Sequence, residues 1–384
     1  MSPATTSSGI ETSDDLKFVD DFRDAAMCRG LVEQIRPLAA RLANERGSER
    51  IAIMEVCGGH THTLFRFGIH EALSDVIEFV HGPGCPVCVL PREVIAQCVS
   101  WAQQPDMAVA TFGDAIRVPG HGTTLQQARA DGANVEVVYS PLDALRYARE
   151  HPERNVVLLA LGFDTTMPST ALTVMTAKRE GITNFFLYSV HIGIIPTLHA
   201  VLAEGAEFID GIIGPGHVSM VVGSEPYEFV ARDYHLPFVI AGFEPVDLLQ
   251  SLQMILTQLD AGEALVQNQY SRTVQRAGNK AALAAIDEVF MAEPRPFWQG
   301  LGGNTDIGFA LRPDYQGFDA ERRFGAVTAA PDETGVPVFC DQVIMGRLSP
   351  PKCPNFMTTC TPDHPLGALM VSNEGACAAW SHAV

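Results

Sequence analysis

The chain has few basic residues for its size. It contains 26 Lys and Arg against 45 Asp and Glu, which gives a formal net charge of −19 at pH 7. Because nucleic acids are polyanions, a protein with this excess of negative charge is repelled by them. The composition therefore excludes nucleic acid as the expected partner and favours a partner with a basic or neutral face.

Long apolar runs are also missing. No stretch reaches the roughly 18 apolar residues that a membrane-spanning helix needs. Residues 1–15 are polar and lack the apolar centre of a signal peptide. We therefore expect a cytoplasmic protein that does not enter a membrane. Since the cytoplasm is reducing, its cysteines favour metal binding or thiol chemistry over structural disulfides.

What the chain does have is apolar content, 47% over 384 residues, which suggests two or three domains. Short apolar runs end at glycine or a small polar residue, and helical stretches lie between them. This repetition of strand, loop and helix is typical of an α/β fold with parallel sheets. The predicted strands cover residues 50–56, 76–80, 107–112, 135–139, 155–161, 184–190, 208–213 and 237–241.

Two Gly-Pro-Gly turns, at 82–84 and 214–216, suggest an internal duplication. They lead to the hypothesis of two similar α/β domains facing one another across a cleft, with chance similarity as the alternative. The predicted organisation is a disordered tail at 1–16, N-terminal helices at 17–48 that could pack with the C-terminal domain, α/β domains at 49–140 and 141–245, and a helical and loop-rich domain at 246–384. Ligands of such parallel sheets bind at the carboxyl ends of the strands.

Seven of the nine cysteines form two groups, and one group lies close to the C-terminus. Four thiolates in a short, loop-rich segment could bind zinc or a 4Fe–4S cluster. The tight Cys-x-x-Cys pairs of zinc ribbons are absent from this group, which favours the iron–sulfur cluster. The group consists of Cys340, Cys353, Cys360 and Cys377. The two ungrouped cysteines, Cys28 and Cys98, lie on predicted helices and are expected in the core.

The second group consists of Cys57, Cys85 and Cys88. Cys85-Pro-Val-Cys88 could be a thioredoxin-like dithiol, half of a metal site or a structural turn. If residues 87–99 are helical, both thiols lie at a helix N-terminus, where the helix dipole lowers a thiol pKa. A redox-active pair or an iron ligand is therefore favoured. Cys57 follows a predicted strand and precedes two glycines, a position that directs a side chain into a crevice.

Histidines and carboxylates also follow the predicted strands. His60 and His62 could supply ligands or protons, although single histidines more often serve as hydrogen-bonding groups. Asp114, Asp164 and Glu244 could orient ligands or histidines. The alternative for Asp114 and Asp164 is that they cap the helices that follow them.

Several long motifs stand out beyond generic spacing. They are Cys57-Gly-Gly-His-Thr-His62, His81-Gly-Pro-Gly-Cys-Pro-Val-Cys88, Thr111-Phe-Gly-Asp114, Gly214-Pro-Gly-His-Val218, Gly242-Phe-Glu-Pro245 and a tail that contains Cys353, Cys360-Thr-Pro and Met370-Val-Ser-Asn-Glu-Gly-Ala-Cys377. These motifs resemble those of the HypD family, the NiFe-hydrogenase maturation proteins, and the resemblance covers roughly residues 17–384. One departure is Asp164, where the family pattern leads us to expect Gly-Phe-Glu-Thr; aspartate keeps the charge and shortens the reach.

The resemblance implies a scaffold on which iron receives two cyanides and one carbon monoxide before delivery to the hydrogenase large subunit. It implies a stable complex with HypC, which has a cysteine at its mature N-terminus, and transient binding of HypE, which donates the cyanide. The implied fold has two related α/β domains and a third that carries a 4Fe–4S cluster, similar to that of ferredoxin–thioredoxin reductase. Such a protein is a redox-active assembly scaffold rather than a conventional turnover enzyme.

The same resemblance leads to a hypothesis for each group of residues. Cys57 and the HypC cysteine would hold the iron, and Cys85 and Cys88 would exchange electrons with the cluster or bind iron transiently. His60 and His62 would handle protons in the cleft. Glycine-rich loops and helix N-termini would accommodate anionic cyanide donors. The cluster would be held by Cys340, Cys353, Cys360 and Cys377.

Two other functions fit the cysteines. One is an iron–sulfur thiol–disulfide oxidoreductase that acts on a protein disulfide through Cys85 and Cys88. The other is a zinc-stabilised interaction module without enzymatic activity. A brown colour of the anaerobic protein would exclude the zinc module, and infrared bands of iron-bound CN and CO would distinguish the scaffold from the reductase.

Overall fold

The fold is known from a computed structural model that describes residues 21–294, 308–325 and 337–382. The tail predicted at 1–16 lies outside these residues. The strands are β1 (Ile51–Glu55), β2 (Ile77–His81), β3 (Met107–Thr111), β4 (Val135–Val137), β5 (Asn155–Gly162), β6 (Phe185–His191), β7 (Gly211–Pro215), β8 (Phe238–Ala241), β9 (Val266–Asn268), β10 (Phe290–Glu293) and β11 (Gly308–Leu311). The predicted strands thus occur where the apolar runs lie.

Helices connect most of these strands and cover the sheets. The α-helices are α1 (Ala25–Glu45), α2 (Gly58–Arg66), α3 (Ile69–Leu73), α4 (Arg92–Ala102), α5 (Leu125–Ala130), α6 (Pro141–Glu150), α7 (Met167–Glu180), α8 (Ile194–Gly205), α9 (Gly216–Val222), α10 (Glu228–Tyr234), α11 (Pro245–Ala261), α12 (Lys280–Val289), α13 (Ala320–Phe324), α14 (Cys340–Ile344) and α15 (Ala376–Ser381). Short 3₁₀ helices lie at Asp21–Arg23, Ala115–Arg117, Ala206–Phe208, Glu225–Tyr227, Pro313–Phe318, Pro350–Lys352 and Ala368–Met370.

Two parallel sheets form the framework. Sheet A has the strand order β2-β1-β7-β8-β9, and sheet B has the order β4-β3-β5-β6. Every pair of neighbours within these two sheets is parallel, whereas β10 and β11 form an antiparallel pair. All seven residues of β6 are buried, as in a sheet that helices cover on both faces. The predicted α/β class with parallel sheets is confirmed.

The division between the sheets does not coincide with the boundary predicted at residue 140. The chain builds β1 and β2 of sheet A, then all of sheet B, and returns to sheet A for β7, β8 and β9. Both Gly-Pro-Gly motifs therefore belong to sheet A: the first follows β2, and the second covers the end of β7 and the start of α9. Pairing between β1 and β7 joins residues far apart in sequence, such as Ile53 and Gly211, and local patterns carry no information on it.

Helix α1 packs on α11 over the outer side of sheet A. Ile35 and Leu42 of α1 belong to one buried cluster with Leu252 and Ile255 of α11 and with Ile51 of β1. Asp24 caps α1 by accepting a hydrogen bond from the main-chain N–H of Met27 at 2.6 Å. The segment predicted as helical after residue 245 contains strand β9 between α11 and α12, so that prediction was incomplete.

The C-terminal segment, defined here as residues 337–382, contacts the loops at the carboxyl ends of both sheets. Arg117 follows β3 of sheet B and donates a hydrogen bond to the carbonyl of Val371 at 2.7 Å. The guanidinium of Arg92, at the start of α4, donates to the carbonyl of Leu366. The segment is thereby fastened over the edge of the sheets where ligands of parallel sheets bind.

Among residues 21–294, 308–325 and 337–382, no helix combines the length and apolar character required to cross a membrane.

Candidate functional site

The unusual motifs of the sequence meet at the carboxyl edge of sheet A. Cys57 follows β1, and the loop of Cys85 and Cys88 follows β2. His217 and Phe243 follow β7 and β8, and their rings stack with centroids 3.8 Å apart. In a parallel sheet the strands all end at one edge, so these residues form one site.

Cys57 occupies the N-cap position of α2 in an extended conformation. Its carbonyl accepts hydrogen bonds from the main-chain N–H groups of His60 at 2.8 Å and Thr61 at 3.3 Å. The residue is only 8% exposed. Burial, and then the neighbouring carboxylate of Glu374, raise the pKa of the Cys57 thiol to about 12. The thiol is therefore neutral at pH 7, and a cation that binds its sulfur must displace the proton.

Two glycines allow main chains to meet beside Cys57. A Cβ atom at Gly84 would overlap with the main chain of Val56 and Cys57, and one at Gly58 would overlap with Glu374 of the C-terminal segment. Because only glycine permits such close approach, these two positions bring the β2 loop and the C-terminal segment onto the Cys57 loop.

Cys85 and Cys88 are joined by a disulfide, with Cα atoms 5.2 Å apart. Both residues are buried, and the N–H of Cys88 lies 3.2 Å from the Cys85 sulfur. The predicted helix at 87–99 is wrong in its start, because α4 begins only at Arg92 after the N-cap residue Pro91. The two sulfurs lie in the preceding turn, so the argument from the helix dipole does not apply to them. The general expectation of reduced thiols does not extend to this pair.

A buried carboxylate organises the Cys57 loop, and sequence reasoning missed it. Glu55, the last residue of β1, is 1% exposed. It accepts hydrogen bonds from the main-chain N–H of Cys57 at 3.0 Å, from Nδ1 of His81 at 2.7 Å and from the hydroxyl of Thr61. Its position at a strand end, two residues before a motif cysteine, was the signal in the sequence.

His60 and His62 are not brought together by the structure. His60 is buried, stacks on Phe243 with centroids 4.8 Å apart, and donates from Nε2 to the carbonyl of Ala241 at 3.2 Å. Burial lowers the pKa of His60 to about 4, so its ring is neutral. His62 is exposed and lines a surface pocket with Arg66. Residues two apart on a helix point to different sides.

The three candidate carboxylates differ in their surroundings. Asp164 accepts a hydrogen bond from the main-chain N–H of Ile194 at 2.9 Å, so it caps α8, and burial raises its pKa to about 6. Glu244 forms a capping box at the start of α11 and pairs with the guanidinium of Arg23. Glu244 therefore caps the helix that follows it, whereas Asp164 caps α8 and not α7, the helix that follows Asp164 in the sequence. Asp114 is exposed; burial, and then the charge of Asp114, raise the pKa of Glu374.

Tyr227, in the 3₁₀ helix Glu225–Tyr227, is a buried residue that was not singled out by its sequence. It is fully buried, and its hydroxyl is 3.1 Å from the hydroxyl of Ser219, which donates to the carbonyl of Pro215 at 2.7 Å. Burial raises the pKa of Tyr227, so its hydroxyl is neutral.

The four C-terminal cysteines lie near one another. Cys340 begins α14, Cys377 is on α15, and Cys353 and Cys360 lie in the loops between. Burial, followed by the negative charges of its neighbours Cys360 and Cys353, raises the pKa of Cys340 to about 12. Burial and the other three cysteines raise the pKa of Cys377. The N–H of Leu366 lies 3.3 Å from the Cys360 sulfur.

Within the described residues, no group of three or more His, Cys, Asp or Glu side chains is arranged as a metal site. The four thiols nevertheless fit a thiolate-bound cluster in the type and number of their donors. They are within electrostatic range of one another, and a main-chain N–H points at one sulfur, as it does around cluster thiolates. Gly367 also packs directly against the sulfur of Cys340, where a larger residue would obstruct it.

A narrow cavity of about 10 Å³ lies between the disulfide loop and the C-terminal segment. Cys85 and Cys88 line one side of it. Glu374 and Ala376 of the C-terminal segment line the other, immediately before Cys377 in the sequence. The disulfide loop and the segment that carries the four cysteines are therefore in direct apposition.

The fold and the site define a class of α/β proteins in which thiols converge at the edge of a parallel sheet, beside a cysteine-rich segment. Comparison with known proteins identifies the family within this class. The family model HypD, described as "Hydrogenase formation hypA family", matches residues 27–383. The chain belongs to the HypD family, as its motifs predicted.

Curated relatives are named as hydrogenase maturation factors. The chain is 48% identical over 371 residues to "Hydrogenase maturation factor HypD" of Rhodobacter capsulatus, with 95% of this chain and 97% of that protein covered. It is 48% identical over 368 residues to the protein of the same name from Escherichia coli (strain K12), with 95% and 97% covered. It is 41% identical over 375 residues to that of Rhizobium leguminosarum bv. viciae, with 96% of each covered. The protein is a hydrogenase maturation factor.

Proposed function

We propose that the chain is the scaffold on which an iron ion, its cargo, receives two cyanides and one carbon monoxide for a NiFe-hydrogenase. Cys57 holds the iron together with the N-terminal cysteine of HypC. HypE supplies the cyanide, and HypC carries the product to the hydrogenase large subunit. The observation that carries the proposal is the meeting of Cys57, the Cys85–Cys88 disulfide and the C-terminal cysteine segment around one strand edge.

The surroundings of Cys57 support its role as an iron ligand. The nearby carboxylates of Glu374 and Glu55 help to raise its thiol pKa, because they disfavour a further negative charge. The same carboxylates attract a ferrous ion, and the ion in turn favours the thiolate. The metal-free protein thus keeps Cys57 as a neutral, unreactive thiol, and iron binding releases the proton.

The C-terminal segment supports the proposed redox role. Cys340, Cys353, Cys360 and Cys377 would hold a 4Fe–4S cluster, which supplies single electrons when bound. The chain's own contribution is geometric: Gly367 admits the sulfur of Cys340, and Glu374 and Ala376 lie against the disulfide loop. Cys85 and Cys88 can accept two electrons and two protons to become a dithiol.

Replacement of Cys57 tests the proposal. In the complex with HypC, purified anaerobically, C57S should lack the infrared bands of iron-bound CN and CO and keep the visible absorption of the cluster. C28S is the matched control, because Cys28 lies on α1 outside the site and its loss should leave both signals unchanged. Full bands in C57S would show that Cys57 is not the essential ligand.

The Cys85–Cys88 disulfide itself supports a second candidate, an iron–sulfur thiol–disulfide oxidoreductase that acts on a protein disulfide. The two functions give different outcomes for the same purified complex. A reductase would reduce a protein disulfide at the expense of its own dithiol and would carry no iron–CN or iron–CO bands under maturation conditions.

A further inference from the structure

The His81 ring connects the Cys57 loop to the last described helix. The indole N–H of Trp380, on α15, lies 3.3 Å from Nε2 of His81. An indole can only donate, so Nε2 accepts and the proton of the neutral ring is on Nδ1. Nδ1 then donates to Glu55 at 2.7 Å. The hydrogen bonds thus run in one direction, from Trp380 through His81 to Glu55.

This series of hydrogen bonds ends at the main-chain N–H of Cys57. Glu55 accepts the N–H of Cys57 at 3.0 Å and the hydroxyl of Thr61, which lies in the first turn of α2. The carboxylate is 1% exposed, so water does not replace a lost partner. A buried acceptor that loses one of its donors is under-satisfied, and its remaining hydrogen bonds rearrange.

Trp380, the first donor of the series, is held in place by aromatic packing. The Trp380 ring lies edge-on to Phe65 with centroids 5.1 Å apart and edge-on to His70 with centroids 4.7 Å apart. Trp380 follows Cys377 by three residues on α15, so the two side chains are one helical turn apart. The orientation of the indole therefore follows the position of the helix that carries Cys377.

We propose that Trp380 is a positioning residue that holds the Cys57 loop in a fixed position relative to the C-terminal segment, through His81 and Glu55. The importance of Trp380 for maturation rests on the proposed role of Cys57 as iron ligand. The series of hydrogen bonds itself is independent of that role. The inference gives the C-terminal helix a task besides supplying Cys377: it fixes the loop on which the iron is assembled.

Amide hydrogen exchange of the full-length protein without iron tests the proposal. W380F keeps a six-membered aromatic ring against Phe65 and His70 and removes the five-membered ring with its N–H. Loss of this hydrogen bond should lower the free energy of opening at the Cys57 amide by about 1 kcal/mol. The Cys57 amide should therefore exchange about fivefold faster in W380F than in the wild type. Equal exchange rates in W380F and the wild type would overturn the proposal.

The chain offers a matched control in Trp101. This tryptophan is fully buried, and its indole N–H has no hydrogen-bond partner among the described residues. W101F removes the same atoms from the core, so it can lower global stability but should leave the Cys57 amide at the wild-type rate once exchange is normalised to the β5 amides. Equal acceleration in both variants would show a nonspecific loss of stability and would contradict the proposal.

A second measurement needs no variant. Nitrogen-15 NMR of histidine-labelled wild type should show His81 as the neutral tautomer with its proton on Nδ1. A proton on Nε2 would rule out the donation from Trp380 and with it the proposal. Both measurements use iron-free protein, so they stand even if C57S keeps its infrared bands.

Discussion

Gly84 is a single residue on which the contact between two loops depends. A Cβ atom at this position would overlap with the main chain of Val56 and Cys57, and main chain cannot move aside as a flexible side chain does. We therefore expect G84A to lower the free energy of unfolding by about 1–3 kcal/mol, the usual range for overpacking. Urea denaturation monitored by circular dichroism measures the change.

Gly113 provides the control for this substitution. It also lies in a loop after a strand, but a Cβ atom there would have nothing within 4 Å. G113A should therefore change the free energy of unfolding by less than about 0.5 kcal/mol, as surface substitutions usually do. If G84A proved as stable as G113A, the Cys57 and Cys85 loops would not be packed as described.

Asp164 predicts a pH dependence of stability. Its pKa is about 6 in the folded protein against 3.8 for an ordinary aspartate, because burial disfavours the charged form. The folded state thus binds the proton more tightly than the unfolded state. The protonated Asp164 carboxyl therefore contributes to stability at low pH, and this contribution is lost as the pH rises through its folded-state pKa of about 6.

Replacement of this carboxylate by an amide should remove the cost of burying a charged group. The side-chain amide oxygen introduced in D164N can still accept the N–H of Ile194, and the amide cannot ionise. We expect the stability of D164N relative to the wild type to be about 1–2 kcal/mol more favourable at pH 7.5 than at pH 4.5. Thermal or urea unfolding at the two pH values measures this, with D363N at an exposed position as control. A relative stability independent of pH would contradict the raised pKa.

At this scale the sequence predicted the cysteines better than their partners. Cys57, Cys85 and Cys88 could be found because thiols beside glycines are rare and chemically distinctive. The hydrogen bonds from His81 and Thr61 to Glu55 could not, because they join residues from different elements. The separation of His60 from His62 was accessible in principle, since it follows from helical periodicity once α2 is known to begin at Gly58.

Among the elements, α11 depends on one buried ion pair. Asp247 in its first turn is fully buried, and Arg272 donates to its two carboxylate oxygens at 2.8 and 2.6 Å. R272M would leave the Asp247 carboxylate buried with only neutral donors, the side-chain amide of Gln269 and the N–H of Glu244. Removal of one partner of a buried ion pair costs about 3–5 kcal/mol in comparable cases. We expect a loss of about 3 kcal/mol in the free energy of unfolding, because Arg272 itself is partly exposed.

Arg276 is the matched residue for this test. It pairs with Glu225 and Glu228, but all three side chains are more than half exposed. Exposed ion pairs contribute about 0–1 kcal/mol, so R276M should have a small effect. Urea denaturation of the two variants compares them directly, and equal losses would show that the Asp247–Arg272 pair is screened like a surface pair.

The strands and helices show which elements the apolar pattern can predict and which it cannot. Strands β1 to β8 were predicted close to where they lie, because each apolar run ends at a glycine or small polar residue that begins a loop, whereas β9, β10 and β11 were missed. The start of α4 was misplaced by several residues because the apolar residues Val87, Val89 and Leu90 belong to the turn of the disulfide loop. Their burial comes from tertiary packing, which an apolar pattern cannot distinguish from a helix face.

At the scale of the whole molecule, the order of strands decides which loops meet. Because β7 and β8 return to sheet A after sheet B is complete, the loops that follow them join those of Cys57 and Cys85 at one edge. The C-terminal segment then contacts loops of both sheets through Leu366 and Val371. A linear division at residue 140 cannot represent this, since it rests on closure of the chain over long distances.

The last prediction concerns this segment as a structural unit. Its described part contains only short helices, and the helices that carry Cys340 and Cys377 have five and six residues. Helices this short are unstable alone, so the segment depends on its packing and, under the proposed function, on the cluster. C377S should therefore accelerate cleavage by a protease within residues 337–382 and also hydrogen exchange at Gly58, against which Glu374 packs.

The control C98S replaces a fully buried cysteine of α4 and should leave both rates unchanged when exchange is normalised to the β5 amides. Wild-type rates in C377S would mean that the segment is held by its protein contacts alone.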